Sequence, residues 1–273
     1  MKAVGMRPGL GQYLHQLYRR RDFIVTMARS GIASSHSRNR LGRVWLVLTP
    51  LLQGLVYGLI FGVLLRTSRD IPNFVGYLMV GIFLFQYTAK ALTEGAKAIS
   101  GNRKLVQVLS FPRAALPMSI SLRNVISFLP ALAVMVAVVL LTPEEEVVTW
   151  RWLLLAPIFL LMSVFNLGLS LLAARAVASV NDVSQIIPFA LRIWFYTSGV
   201  FFAYDRFAGD QPVLLALLEA NPMHVFLTLA RDAFLYGQDS PASYWWQAAA
   251  WSVGLLVVGF LAFWRSEEKY TRD

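Results

Sequence analysis

Residues 152–174 read WLLLAPIFLLMSVFNLGLSLLAA, without one charged side chain. About 20 mostly apolar residues are what an α-helix needs to cross the hydrocarbon core of a bilayer. A helix satisfies every backbone N–H and C=O within the segment, which makes it the expected form in lipid. Working outward, five more runs share this character: 44–65, 74–99, 114–141, 183–204 and 244–264. The chain therefore reads as an all-α integral membrane protein. It has six transmembrane helices in one domain, 1–273.

Composition agrees. The chain is 57% hydrophobic and 15% charged, with 25 Lys and Arg against 15 Asp and Glu, a net charge of +10. Soluble domains run at about 45–50% apolar and about 25% charged. Disorder is excluded by the aromatic and β-branched content. A basic nucleic-acid domain is excluded because no soluble core lies beneath the charges. Cysteine is absent, so disulfides and thiolate metal sites are excluded. His15, His36 and His224 are scattered and no H-E-x-x-H occurs, so no metal site is expected. The first 43 residues hold no apolar stretch of signal-peptide type, so the first span is expected to act as the insertion signal.

Lysine and arginine set the orientation. Residues 1–43, the second-to-third and fourth-to-fifth loops and the tail carry seventeen of them, and the opposite loops carry five. Both termini are thus expected in the cytoplasm, which requires an even number of spans. The net charge separates into +12 inside, −4 outside and +2 within the spans. Lys90 and Glu94 are four apart and can pair on a helix. Arg123 and Arg192 lie inside spans, where arginines face cavities or snorkel.

Three segments outside the spans carry pattern. Residues 12–30 form an imperfect amphipathic stripe with Leu14, Leu17, Tyr18, Ile24, Val25 and Ala28, expected at the inner membrane surface. Residues 101–112 hold a short helix with Asn102 as its cap, Leu105, Val108 and Leu109 as an apolar edge, and Pro112 near its end. Held between two spans, it is either a lever that docks into a soluble partner or a surface turn. In 205–243, Asn221-Pro222 and Gly237 bracket a helix over 222–236. Phe226, Leu229, Ala230 and Ala233 make its apolar face, and His224, Thr228 and Arg231 a polar seam. With the apolar piece before it, this reads as an outer re-entrant hairpin that gates a pathway, or as a folded outer cap.

Taken together these residues are similar to a known family. RLGRVWLVLTP at 40–50, followed by Tyr57, Phe61 and Gly62, resembles the start of the first span of type-2 ABC exporter permeases. NRKLV at 102–106, with FPR at 111–113, looks like that family's coupling helix. NDVSQIIP at 181–188, the aromatic run to Tyr204, and NPM at 221–223 are similar to its second half. The nearest group exports O-antigen, teichoic acid, capsule and galactan. The resemblance implies a homodimer with its pathway at the two-fold interface, in the bacterial cytoplasmic membrane. It also implies two copies of an ATPase engaged through 101–112, namely Asn102, Arg103, Lys104, Leu105, Val108 and Leu109, and through the N-terminal helix. ATP and Mg would sit on that partner, with no cofactor on this chain, since no G-x-x-x-x-G-K-[ST] occurs.

Set beside the resemblance, further residues take candidate roles. Trp194, Phe195, Tyr196, Phe201, Phe202 and Tyr204 are packing and an interfacial belt, or a stacking track for a sliding glycan. Arg38, Arg40 and Arg43 serve topology alone, or hold the pyrophosphate of a polyprenyl-linked substrate through their guanidinium forks. Outer carboxylates Asp205, Asp210 and Glu219 read as solvated. The expectation is a permease for a lipid-linked polysaccharide. An exporter of drugs or small lipids and a membrane-embedded glycosyltransferase or ligase are the alternatives.

Overall fold

A computed structural model describes residues 9–36, 44–57, 59–60, 71, 73–109, 111–141, 149–202, 204 and 211–267. Its helices are α1 (Leu10–Arg19), α2 (Arg21–His36), α3 (Trp45–Tyr57), α4 (Phe74–Ala96), α5 (Arg103–Val108), α6 (Ala115–Leu141), α7 (Leu155–Ser179), α8 (Val183–Tyr196), α9 (Pro212–Glu219), α10 (Pro222–Arg231) and α11 (Ala242–Arg265). Short 3₁₀ turns, Ser100–Asn102 and Trp150–Leu154, precede α5 and α7, and a π-turn, Asp232–Tyr236, extends α10. No strand occurs among the described residues.

Among the described residues, four helices are long and apolar enough to cross a membrane: Phe74–Ala96, Ala115–Leu140, Trp150–Ser179 and Ala242–Arg265. They match four of the six runs. Of the run 44–65, Trp45–Tyr57 is α-helix and residues 59–60 are π-helical, while 58 and 61–65 lie outside the described residues. The run 183–204 does not form one continuous helix. α8 stops at Tyr196, and the chain turns through Gly199, whose φ of 66° favours glycine. The single helix expected over 12–30 is two, α1 and α2, broken at Arg20.

α4 is the central element, with 72% of its most apolar window buried, against 22% for α11. It packs on α6 and α7. The Asn73 side chain starts it by accepting from the Gly76 N–H at 2.8 Å. α7 and α11 meet through Gly168 and Gly259. A Cβ on Gly168 would lie 2.5 Å from the Leu255 carbonyl carbon, and one on Gly259 would lie 2.5 Å from the Gly168 oxygen. Small residues permit such approach where lipid supplies no hydrophobic drive between helices.

The two ends of the bundle differ. At one end Tyr13, Ile24, Ile99, Val106, Leu171 and Phe263 join one buried cluster. This gathers α1, α2, α5 and the C-terminal ends of α7 and α11, the segments that the charge count assigns inside. At the other end Trp152 packs edge-on against Phe234, and Arg151 forks onto Asp239 at 2.7 and 2.8 Å.

Charges in the helices pair differently from the local expectation. Glu94 accepts from Arg123 of α6 at 2.8 Å, not from Lys90. Arg123 also lies against Gly31 of α2. Interhelical pairing replaces snorkelling, because a carboxylate on the neighbouring helix is the nearer neutraliser. Arg192 is exposed on α8.

Candidate functional site

The end that the charge count assigns inside presents α5. Asn102 occupies its N-cap position without capping it. The side-chain amide donates back to the Ala98 carbonyl at 2.9 Å, which closes the preceding turn. Arg103 and Lys104 are exposed. The apolar edge divides in two. Leu105 packs inward beside buried Val106, whereas Val108 is 80% and Leu109 47% exposed. α5 is thus anchored on one side and projects cations and apolar groups on the other.

Behind α5 lies a junction that the sequence reading missed. Tyr13 of α1 is 1% exposed. Its hydroxyl donates to Glu267 Oε2 at 2.7 Å and accepts the Ala114 N–H at 3.1 Å. Glu267 Oε1 accepts the Arg113 N–H at 2.9 Å, and the Arg113 guanidinium donates to the Glu267 carbonyl at 3.3 Å. Burial pushes the Glu267 carboxyl above its usual range, opposed by the bonds from Arg113 and Tyr13. The junction ties the N-terminal helix, the segment after α5 and the end of α11 to one carboxylate. Tyr13 shares a helical face with Leu10 and Leu17, at spacings of three and four, and that spacing is the sequence signal for it.

The opposite end is built around the turn after α8. Asn221 holds it. Its Oδ1 accepts from the Trp194 indole at 2.9 Å and the Met223 N–H at 3.0 Å, and its Nδ2 donates to the Thr197 carbonyl at 3.0 Å. Arg231, 2% exposed, donates to the carbonyls of Gly199 at 3.0 Å, Tyr77 at 3.2 Å and Val200 at 3.3 Å. Its guanidinium stands 3.3 Å from the Tyr77 ring centroid. The Tyr77 hydroxyl in turn shares its one proton between the Gly199 and Phe202 carbonyls, at 2.8 and 2.9 Å. The carbonyls released where the helix breaks are thus met by side chains from α4 and α10.

The seam residues therefore separate. His224 and Thr228 stay together at 3.4 Å, while Arg231 points to the turn. His224 stacks on Tyr204 at 4.1 Å, and the Tyr204 hydroxyl donates to the Thr197 carbonyl at 2.6 Å. Burial and the Arg231 charge push His224 down to about 4. The six aromatics also separate. Phe201 and Tyr204 are buried, Trp194, Phe195 and Phe202 are partly buried, and Phe195 packs on Phe85 and Phe201. Tyr196 is 47% exposed and shares an open apolar face of α8 with Ile186, Phe189 and Ile193. Arg38, Arg40, Arg43, Asp205 and Asp210 lie outside the described residues.

The sequence profile of the ABC-2 type transporter family matches residues 23–235. An O-antigen export system permease protein RfbA of Myxococcus xanthus is 27% identical over 260 residues, spanning 95% of this chain and 98% of its own. A protein of the same description from Klebsiella pneumoniae is 23% identical over 217 residues, spanning 79% and 81%.

Proposed function

Because the chain belongs to the ABC-2 type transporter family, we propose that it is the permease subunit of a polysaccharide exporter. The cargo is a polyprenyl-pyrophosphate-linked cell-surface polysaccharide, moved across the bacterial cytoplasmic membrane. The observation that carries this reading is the similarity over 95% of the chain to a protein described as an O-antigen export permease. The subunit is a multi-pass membrane component, and the chemistry of ATP hydrolysis, with its Mg, belongs to a separate ATPase.

In this reading α3 and α8 complete a six-span topology with both termini inside. Two copies associate, and the open face of α8 with Tyr196 faces the shared pathway or the second copy. Arg38, Arg40 and Arg43 receive the pyrophosphate at the inner leaflet. α5 offers Arg103, Lys104, Val108 and Leu109 to the ATPase, and Glu267 passes the movement to α1 and α11. α9 and α10 dip into the outer leaflet beside Trp194, Phe195, Phe201, Phe202 and Tyr204. His224 and Thr228 face the exit there, while Arg231 stabilises the turn.

The test is genetic and biochemical. Deleting the gene should abolish surface polysaccharide and leave its lipid-linked precursor in the inner leaflet, and the purified chain should capture a P-loop ATPase. Normal surface polymer in the deletion strain would sink the reading. Turnover of lipid-linked glycan by the chain alone would replace it with the glycosyltransferase.

A further inference from the structure

Between α4 and α6 lies a pocket of about 210 Å³ with Gln86, Tyr87, Lys90, Asn124, Ser127 and Phe128 in its wall. Lys90 is six residues before the end of α4, or about 9 Å at 1.5 Å per residue. Asn124 is nine residues into α6, about 14 Å by the same rise. The pocket thus lies in the half of the bundle nearer α5, at inner-leaflet depth on the charge-based orientation. Just beyond it towards that end stands the Arg123–Glu94 ion pair.

Two observations on its wall point to a ligand. Asn124 is 2% exposed, yet both its amide oxygen and its amide nitrogen lack a partner. Lys90 is partly buried and has no ion-pair partner among the described residues, since Glu94 is engaged by Arg123. Orphaned polar atoms and an intramembrane cation are both costly and mark functional sites. An anion is the partner that would neutralise Lys90. It must donate to Asn124 Oδ1 and accept from Asn124 Nδ2, which a fully ionised phosphate cannot do and a sugar hydroxyl can. Tyr87 and Phe128, stacked at 4.7 Å, add an aromatic wall. A cavity of this size suits a single hydroxylated ring and not a polymer.

We infer that this pocket holds the phosphate-linked sugar of an inner-leaflet lipid, with Lys90 on a phosphate oxygen and Asn124 on a sugar hydroxyl. The inference rests on the exporter reading and specifies where its substrate's reducing end is checked. A chain carrying the correct first sugar would seat there before its glycan enters the pathway.

The experiment uses the full chain in phosphatidylcholine nanodiscs. Three additives are titrated: a polyprenyl pyrophosphate bearing one sugar, the bare polyprenyl pyrophosphate, and phosphatidylglycerol. The readout is the unfolding midpoint at each lipid fraction. The sugar-bearing lipid should bind most tightly. Lys90→Met and Asn124→Leu should each weaken it about tenfold, as loss of one charge-assisted or buried hydrogen bond implies. Lys90→Arg should restore binding. Asn124→Leu should also raise the midpoint without lipid, because it removes two unpartnered atoms, an effect a purely structural asparagine would not give. Wild-type affinity in both Met and Leu variants overturns the site while leaving the exporter reading intact. Equal binding of phosphatidylglycerol overturns the sugar specificity. No binding to the wild type, together with normal surface polymer in the deletion strain, overturns both.

Discussion

Replacing Arg231 with Met should unfasten the outer turn. The guanidinium makes three bonds, at 3.0, 3.2 and 3.3 Å, to carbonyls on α4 and the turn. A hydrogen bond from a charged donor contributes about 1.5–3 kcal/mol, so the gross loss is about 5–9 kcal/mol. Two effects reduce it. The Gly199 oxygen keeps the Tyr77 hydroxyl at 2.8 Å, and removing a buried cation relieves a desolvation cost of several kcal/mol. The net destabilisation is then about 2–4 kcal/mol, dominated by the Val200 carbonyl. Denaturant unfolding of the detergent-purified protein measures it. Arg231→Lys should fall between the two, because one ammonium cannot span three carbonyls as a planar fork does. Export should drop with stability, since Phe201 and Tyr204 ride on the same turn. An Arg231→Met protein within about 1 kcal/mol of wild type would refute the idea that arginine holds the broken helix, because that is a single neutral bond's worth.

His224 gives a pH signature. Its pKa is lowered from 6.5 to about 4, so its contribution is complete above 6.5 and is lost as pH falls towards 4. The full loss is of order 3 kcal/mol. His224→Phe keeps a ring on Tyr204 and should flatten that limb of the stability profile; identical profiles would refute the assignment. At the junction, Glu267→Ala strands the Tyr13 hydroxyl and the Arg113 N–H and should cost about 2–4 kcal/mol. Glu267→Gln keeps one of the two acceptors and turns the other into an amide donor, so it should cost about 1–2 kcal/mol, less than the alanine, because burial already disfavours the charge. Comparable unfolding midpoints for the two would count against the clamp. Gly168→Val should cost at least about 1–3 kcal/mol, as overpacking against backbone does. Gly254→Ala on α11, where a Cβ meets nothing within 4 Å, should be neutral or slightly stabilising.

Length and apolarity were enough to find α4, α6, α7 and α11, because lipid demands both and little else does. The Asn-Pro start and glycine end of the 222–236 helix were legible because capping is local chemistry. Asn221 accepts from Met223, and Gly237 has φ 57°. What the sequence hid is long-range. The break at Tyr196 depends on Arg231 and Tyr77, 32 and 122 residues from Gly199. Nothing in the aromatic run 194–204 announces carbonyls waiting for them. Glu94 chose Arg123 over Lys90, since an arginine on a facing helix competes with an i−4 lysine on equal terms. The Tyr13–Glu267 bond joins residues 254 apart. The motif at 102–106 contains Val106 without marking it as the anchor of α5, because an anchor is defined by what lies behind it.

α4 connects these findings. It has no proline, is buried along most of its length, and at 1.5 Å per residue spans about 34 Å. Its outer end carries Tyr77, whose carbonyl and hydroxyl both join the Arg231 turn. Its inner third carries Lys90 and Glu94, and after Ala96 the chain passes directly through Ser100–Asn102 into α5. A packed helix without a kink transmits displacement as a rod. If the ATPase moves α5, the proposed sugar pocket and the outer turn must therefore respond together, being attached to one rigid element. Substrate in the pocket and nucleotide on the partner then bias the same equilibrium. By linkage, each must alter the other's affinity by the same factor.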